Sequence, residues 1–188
     1  MKSFVLLTPN NDDWAAVTFP VLDPGAYVIV IADDKTASVA RNTGFEIRDT
    51  IAILSSQPQR IALVLRKPLL ATVAEQILTT ETGAINIEDC RVGTSGGTKR
   101  NGQVPYPKKA DGREDRTHSW ARTGHDIIEL DAGRWPPNLV LVHGTSCRKG
   151  ECELNCLAAN FGETFYFCPQ FRDDSELLTW FTRLITAS

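Results

Sequence analysis

Ala26-Tyr27-Val28-Ile29-Val30-Ile31-Ala32 is the stretch on which the fold turns. Its unbroken apolar, β-branched character predicts a strand covered on both faces. Before it, Asp23-Pro24-Gly25 reads as a turn, because proline presets φ and glycine accepts a positive φ. After it, Asp33 or Asp34 can cap a helix that runs to about Asn42 and stops at Gly44. Two further strands follow, over residues 45–54 and 61–65, and the short polar turn between them favours an antiparallel hairpin. A strand, a helix, a strand and a hairpin in that order predict an α/β sheet with an antiparallel edge.

Working outward, residues 3–7 form a short buried strand that ends at Thr8-Pro9, and Asp12-Asp13 can cap a helix through Phe19. Residues 72–80 read as a helix with Val73, Ile77 and Leu78 on its apolar side. From Gly93 to Arg134 the composition shifts to Gly, Pro and charge, with almost no aliphatic residue before Ile127-Ile128. Polar stretches of that length are uncommon without a function or disorder. A strand at 139–143, a short helix at 152–160 and a strand at 164–168 come next. An amphipathic helix at 175–185, capped by Asp173, Asp174 or Ser175, completes the reading.

The 188 residues fit one ordinary domain with a real core, and 42% hydrophobic with 23% charged residues is the balance of a soluble globular protein. No apolar run approaches the ~20 residues of a membrane span, and the amino-terminal run lacks a small-residue cleavage site. A cytoplasmic protein that does not engage membranes is the expectation. A net charge of −3 means that nucleic-acid binding would need a local basic face. Five cysteines, four of them within residues 147–168, suggest metal or chance more than a disulfide framework.

Several stretches together resemble the site-specific DNA methyltransferases that modify adenine-N6 or cytosine-N4 and are common in bacteria and bacteriophages. They are residues 82–93 (Thr-Gly-Ala-Ile-Asn-Ile-Glu-Asp-Cys-Arg-Val-Gly), residues 133–143 (Gly-Arg-Trp-Pro-Pro-Asn-Leu-Val-Leu-Val-His), residues 44–51 and Arg66-Lys67-Pro68-Leu69. Residues 21–27, 152–162 and 176–186 are similar to other parts of the same family. The resemblance implies a partial methyltransferase-like α/β sheet flanked by helices, one domain over 1–188, with a loop-rich target-recognition insert over 70–137. It also implies double-stranded DNA as a partner and S-adenosylmethionine as the family's cofactor.

The family's catalytic tetrapeptide is Asp/Asn/Ser-Pro-Pro-aromatic, whose ring stacks on the flipped base. At the matching position this chain has Thr8-Pro9-Asn10-Asn11. The family's cofactor segment, Asp-Pro-Phe-x-Gly-Ser-Gly, would follow the helix at 176–186, and these residues end at Ser188. The expectation is therefore a DNA-binding relative that is catalytically defective as an isolated chain and does not hold S-adenosylmethionine: a decoy, a regulator or a partner of a second protein chain. The alternative is a divergent methyltransferase completed by another chain or a further carboxyl-terminal segment.

Within the recognition-like segment, Lys99, Arg100, Lys108, Lys109, Arg113, Arg116 and Arg122 can neutralise phosphates or read guanine, and Trp120 is interleaved with them. A solvated loop of near-balanced charge is the competing reading. Gly93-Thr94-Ser95-Gly96-Gly97 lacks the strand–turn–helix context of a phosphate cradle. Asp12-Asp13 and Asp33-Asp34 each begin a helix, so capping accounts for them better than acid–base work. His118 and His125 have no nucleophile in their sequence context.

His143, Cys147, Cys152 and Cys156 form His-x3-Cys-x4-Cys-x3-Cys. Three thiolates and an imidazole can complete a tetrahedral zinc shell with a structural role, whereas free thiols that merely cluster are the other reading. Gly144 and Gly150 would permit tight loops around the ion, and one helical turn would bring Cys152 and Cys156 onto one face. Cys168, in an apolar run, is expected in the core.

Overall fold

The computed structural model describes residues 2–6, 13–33, 35–56, 58–92, 97–101, 126–130, 138–148, 151–162 and 168–186. Contacts divide the chain into two units, Met1–Val92 with Trp135–Ser188, and Gly93–Arg134.

The first unit is built on a six-stranded sheet. Its strands are β1 (Phe4–Leu6), β2 (Tyr27–Ala32), β3 (Glu46–Leu54), β4 (Arg60–Arg66), β7 (Leu139–Val142) and β8 (Gln170–Phe171), in the spatial order β1-β2-β4-β3-β7-β8. β4 runs antiparallel to β2 and β3, and the pairs β1–β2, β3–β7 and β7–β8 are parallel. The fold is thus the expected α/β sheet flanked by helices. One detail differs: the antiparallel strand is not at an edge, because β4 is inserted between β2 and β3. The apolar run Ile61-Ala62-Leu63-Val64-Leu65 explains this, since β4 is buried along nearly its whole length and would waste that surface at an edge.

β2 is covered on both faces, as its sequence requires. Val28 and Val30 pack with Leu63 and Leu65 against Trp14 and Ala15 of α1 (Trp14–Val21) and Ala40 of α2 (Thr36–Thr43). Tyr27 and Ile29 face the other way and join Ile51, Ile53, Val64 and Val140. That second face is covered by Leu177, Trp180, Phe181, Leu184 and Ile185 of α5 (Asp174–Ile185), with Cys90 from a short 3-10 helix, Glu88–Cys90. A smaller apolar group lies beneath β7, where Leu141 meets Cys156, Cys168 and Ala158 of α4 (Leu157–Gly162).

β3 carries a bulge at Arg48: Ile47 pairs with Leu65 while Asp49 pairs with Val64. Side chains alternate across a strand, so the extra residue exchanges the faces. Ile47 accordingly packs with the α1/α2 side, whereas Ile51, four residues on, lies under α5.

The helix ends show which capping expectations hold. The Asp33 carboxylate accepts from the Lys35 N–H, the Thr36 N–H and the Thr36 hydroxyl, and Gly44 closes α2 at φ 105°. Asp173 caps α5 by accepting from the Glu176 N–H at 2.9 Å. Asp13 makes no side-chain cap to α1, because its own backbone is helical (φ −86°, ψ −2°) rather than the extended form from which a carboxylate reaches back. Lys67 instead serves the other end of α1 by donating to the carbonyls of Phe19 and Leu22. Asp12 and Asp34 lie outside the described residues.

α3 (Val73–Thr80) has a complete Thr72/Glu75 capping box, but of its expected apolar side, Val73, Ile77 and Leu78, only Ile77 is half-buried. Leu78 is 85% exposed, Val73 is exposed as well, and Gln76 is the buried residue. Gln76 donates to the Thr80 hydroxyl beside Thr82, which in turn donates to the Pro24 carbonyl, so a polar network holds α3 in place of an apolar stripe.

The second unit contains a two-stranded antiparallel ribbon, β5 (Gly97–Asn101) with β6 (Asp126–Leu130).

Candidate metal centre

β7 ends at Val142 and places His143 at the carboxyl edge of the sheet. The His143 N–H donates to the Phe171 carbonyl at 2.9 Å and fixes this end of the strand on β8. Three tight turns then fold the chain back on itself. The Cys147 N–H donates to the Gly144 carbonyl (3.0 Å), and the Cys156 N–H donates to the Glu153 carbonyl (3.0 Å). Between them Arg148 and Glu151 exchange both backbone bonds, at 2.8 and 3.0 Å, so Cys147 and Cys152 flank a hairpin. α4 starts directly after Cys156.

The expected helix over 152–160 therefore begins later, and Cys152 and Cys156 are brought together by a turn, not by one face of a helix. The strand expected at 164–168 falls largely outside the described residues, and Cys168 sits in a bend just before β8, buried as expected.

These turns gather the four side chains. The ligand atoms of His143, Cys147, Cys152 and Cys156 all lie within 4.8 Å of one another. Nδ1 of His143 is 3.4 Å from the Cys152 sulfur and 3.3 Å from the Cys156 sulfur. With zinc–sulfur and zinc–nitrogen bonds of about 2.3 and 2.0–2.1 Å, a tetrahedron separates S and N by about 3.6 Å. The observed spacings are within a few tenths of an ångström of that figure. Nδ1 is the nitrogen turned to the sulfurs, and the set can hold a zinc ion.

The surroundings suit thiolates unequally. Burial would raise the Cys156 thiol, but backbone N–H groups of Gly144, Ala159 and Ala158 turned toward its sulfur, with the Cys147 thiol, bring it below its ordinary value. Cys152 is pushed up to about 11, first by desolvation of its sulfur and then by Cys147 and Cys156. A cation among the sulfurs would relieve that mutual repulsion. The N–H donors carry no side-chain signal, so sequence reading could not find them. Gly144 has a visible reason: a Cβ there would collide with the Glu153 carboxylate and lie 2.8 Å from the Ser56 hydroxyl.

Most of the other expected site residues lie outside the described residues. Thr8, Pro9, Asn10 and Asn11 follow β1 and lie outside the described residues. Lys99 and Arg100 stand on β5 opposite Ile128 and Ile127. Lys108, Lys109, Arg113, Arg116, Trp120 and Arg122 also lie outside the described residues. No described helix is long and apolar enough to cross a membrane.

No family model matches the sequence, and no curated protein matches it. Among solved structures, the DNA methyltransferase M1.HpyAVI is similar over 37% of this chain and 47% of that one, at 18% identity and a TM-score of 0.30. Its SAM complex is similar over 37% and 46%, at 19% identity and a TM-score of 0.29. The aligned part spans just under half the length of those chains.

Proposed function

We propose that this protein is a zinc-stapled relative of the DNA amino-methyltransferases that binds duplex DNA through residues 93–134 and does not transfer methyl groups on its own. The observation that carries the reading is the convergence of His143, Cys147, Cys152 and Cys156 to within 4.8 Å at the end of β7. Four protein ligands leave no open position for water, so the metal's role is to hold structure rather than to catalyse. The staple ties residues 143–156 to the carboxyl edge of the sheet, where the apolar group among the described residues is small.

The methyltransferase part of the reading is supported by the sequence motifs around 44–51, 66–69, 82–93 and 133–143. DNA binding is supported by the basic and aromatic residues between Lys99 and Arg122. Loss of methyl transfer is supported by Thr8-Pro9-Asn10-Asn11, which offers no ring where stacking contributes about 1–3 kcal/mol per base. Such a protein would act as a decoy, a regulator or a partner subunit.

The test combines elemental analysis with DNA titration. Protein purified without chelator should carry about one zinc per chain, lost on Cys152→Ser or Cys156→Ser. Duplex binding should weaken steeply with salt, because phosphate contacts release counterions. It should also weaken for all sequences when Lys99, Arg100, Lys108 and Lys109 become alanine. Metal-free protein, or no duplex binding at low salt, overturns the corresponding half. Transfer of labelled methyl groups to duplex, abolished by changing Asn10 or Asn11, would restore the divergent enzyme.

A further inference from the structure

We infer that the cavity between the bulged strand β3 and helix α5 binds a small, neutral, planar heteroaromatic molecule of purine-nucleoside size. The cavity measures about 370 Å³, within the range of small-molecule sites. It opens near the amino-terminal ends of β2 and β3, whereas His143 follows the carboxyl end of β7. It shares no residue with the metal centre and does not rest on the methyltransferase reading.

Its floor is apolar and partly aromatic: Tyr27, Ile51, Val64, Trp180 and Leu184. Such a surface favours a flat ring, which buries much area at little conformational cost. Its rim is polar and directional. The Asn138 amide donates to Oδ1 of Asp49, which also accepts from the Thr50 N–H, so both side chains are held in place. Arg66 has a side chain only 8% exposed, and Glu46 grips it through Nε and Nη2 at 3.0 and 2.6 Å. Arg48 completes the rim at the bulge.

The bulge assembles this arrangement. Without the extra residue, Asp49 and Ile51 would follow the alternation of Ile47 and face α1 and α2. With it, both line the cavity. Bulges recur beside binding sites because they re-aim side chains in this way.

The rim also selects the ligand's chemistry. Asp49 and the Asn138 carbonyl accept hydrogen bonds, which suits ring-edge N–H or amino groups. Arg48 and Arg66 donate, which suits ring nitrogens or ribose hydroxyls. Glu46 and Asp49 offset the two guanidinium charges, so a neutral ligand is favoured over a phosphorylated one. A purely aliphatic ligand would leave the remaining donors and acceptors of the rim unmatched.

Calorimetric titration of the full chain with adenosine, with indole as a flat ring lacking the polar edge, tests the assignment. Adenosine should bind saturably at one site per chain and more tightly than indole. Asp49→Ala should weaken adenosine by at least about tenfold, the loss of one charge-assisted hydrogen bond. Ala84→Phe, which fills the cavity, should abolish binding. If that variant melts abnormally, Val73→Trp at the exposed mouth replaces it and should block adenosine likewise. Absence of saturable binding up to millimolar adenosine, equal affinity for indole, or no effect of Asp49→Ala would each overturn the proposal.

Discussion

Replacing Cys156 with serine is the sharpest perturbation of the metal centre, because that sulfur is fully buried and has three backbone N–H groups turned toward it. Without metal, residues 144–156 are held by turn bonds, the Arg148–Glu151 pair and a small apolar group around Leu141 and Ala158. Hydrogen bonds of that kind contribute about 0.5–1.5 kcal/mol each. A metal present at a hundred times its dissociation constant adds about 2.7 kcal/mol and lowers the open population about a hundredfold. The hairpin supplies its own reporter, since trypsin can cut after Arg148 or Lys149. When opening and reclosing are fast, the cutting rate follows the open population. Zinc-loaded protein should thus be cut there about a hundred times more slowly than protein in chelator. The Cys156→Ser variant should be cut at the fast rate whether or not zinc is added. Equal rates with zinc and with chelator would show that the turns alone close the segment, and the staple would be refuted.

Three further outcomes are expected from the first unit. Asp173→Ala should cost about 1 kcal/mol in urea denaturation and Asp173→Asn much less, since the asparagine oxygen still accepts from the Glu176 N–H. Paired hydrogen bonds from Arg60 hold the Asp174 carboxyl below its usual range. Its contribution is therefore complete above the unfolded value near ~3.9 and is lost as pH falls through the lower folded value. Because this side chain is 52% exposed, Asp174→Asn should lose only about 0.5–1 kcal/mol at neutral pH and converge with the wild type in strong acid, as denaturant titrations at both pH values would show. Gly25→Ala should cost about 2–5 kcal/mol by the same measurement, combining a left-handed residue with crowding. Gly25 has φ 79°, and a Cβ there would sit 2.9 Å from Leu69.

Local signals in the sequence were strong where one residue type has one physical use. The run from Tyr27 to Ala32, the Asp33 and Gly44 helix ends and the β3–β4 hairpin all appear where their chemistry places them. Where β4 would insert was not legible from hairpin spacing, although its own unbroken apolar run pointed to a central strand. The helix α3 was legible but its apolar side was not, because Val73 and Leu78 obey helical periodicity while staying exposed, and the buried Gln76 joins the Thr80–Thr82 network. The four metal ligands were legible as a set, but the route between Cys152 and Cys156 was not. Spacing of four suits a helix and a turn equally, and Glu153 with its following turn decided it. The cavity rim was invisible in advance because a bulge depends on strand register, which no local pattern specifies.

The two faces of the sheet are also completed at different times during synthesis. The side against α1 and α2 is covered by segments made alongside β1, β2 and β3, so its apolar residues are shielded early. The opposite side, with Ile29, Ile51, Ile53 and Val64, depends on α5. Ribosomes add about 5–20 residues per second, so once β4 is made that face lacks its α5 cover for roughly 6–24 s until Ile185 is made. Over that interval the nascent chain presents a half-clad sheet to its neighbours, and a chaperone or a crowded polysome would meet the α5 side rather than the other.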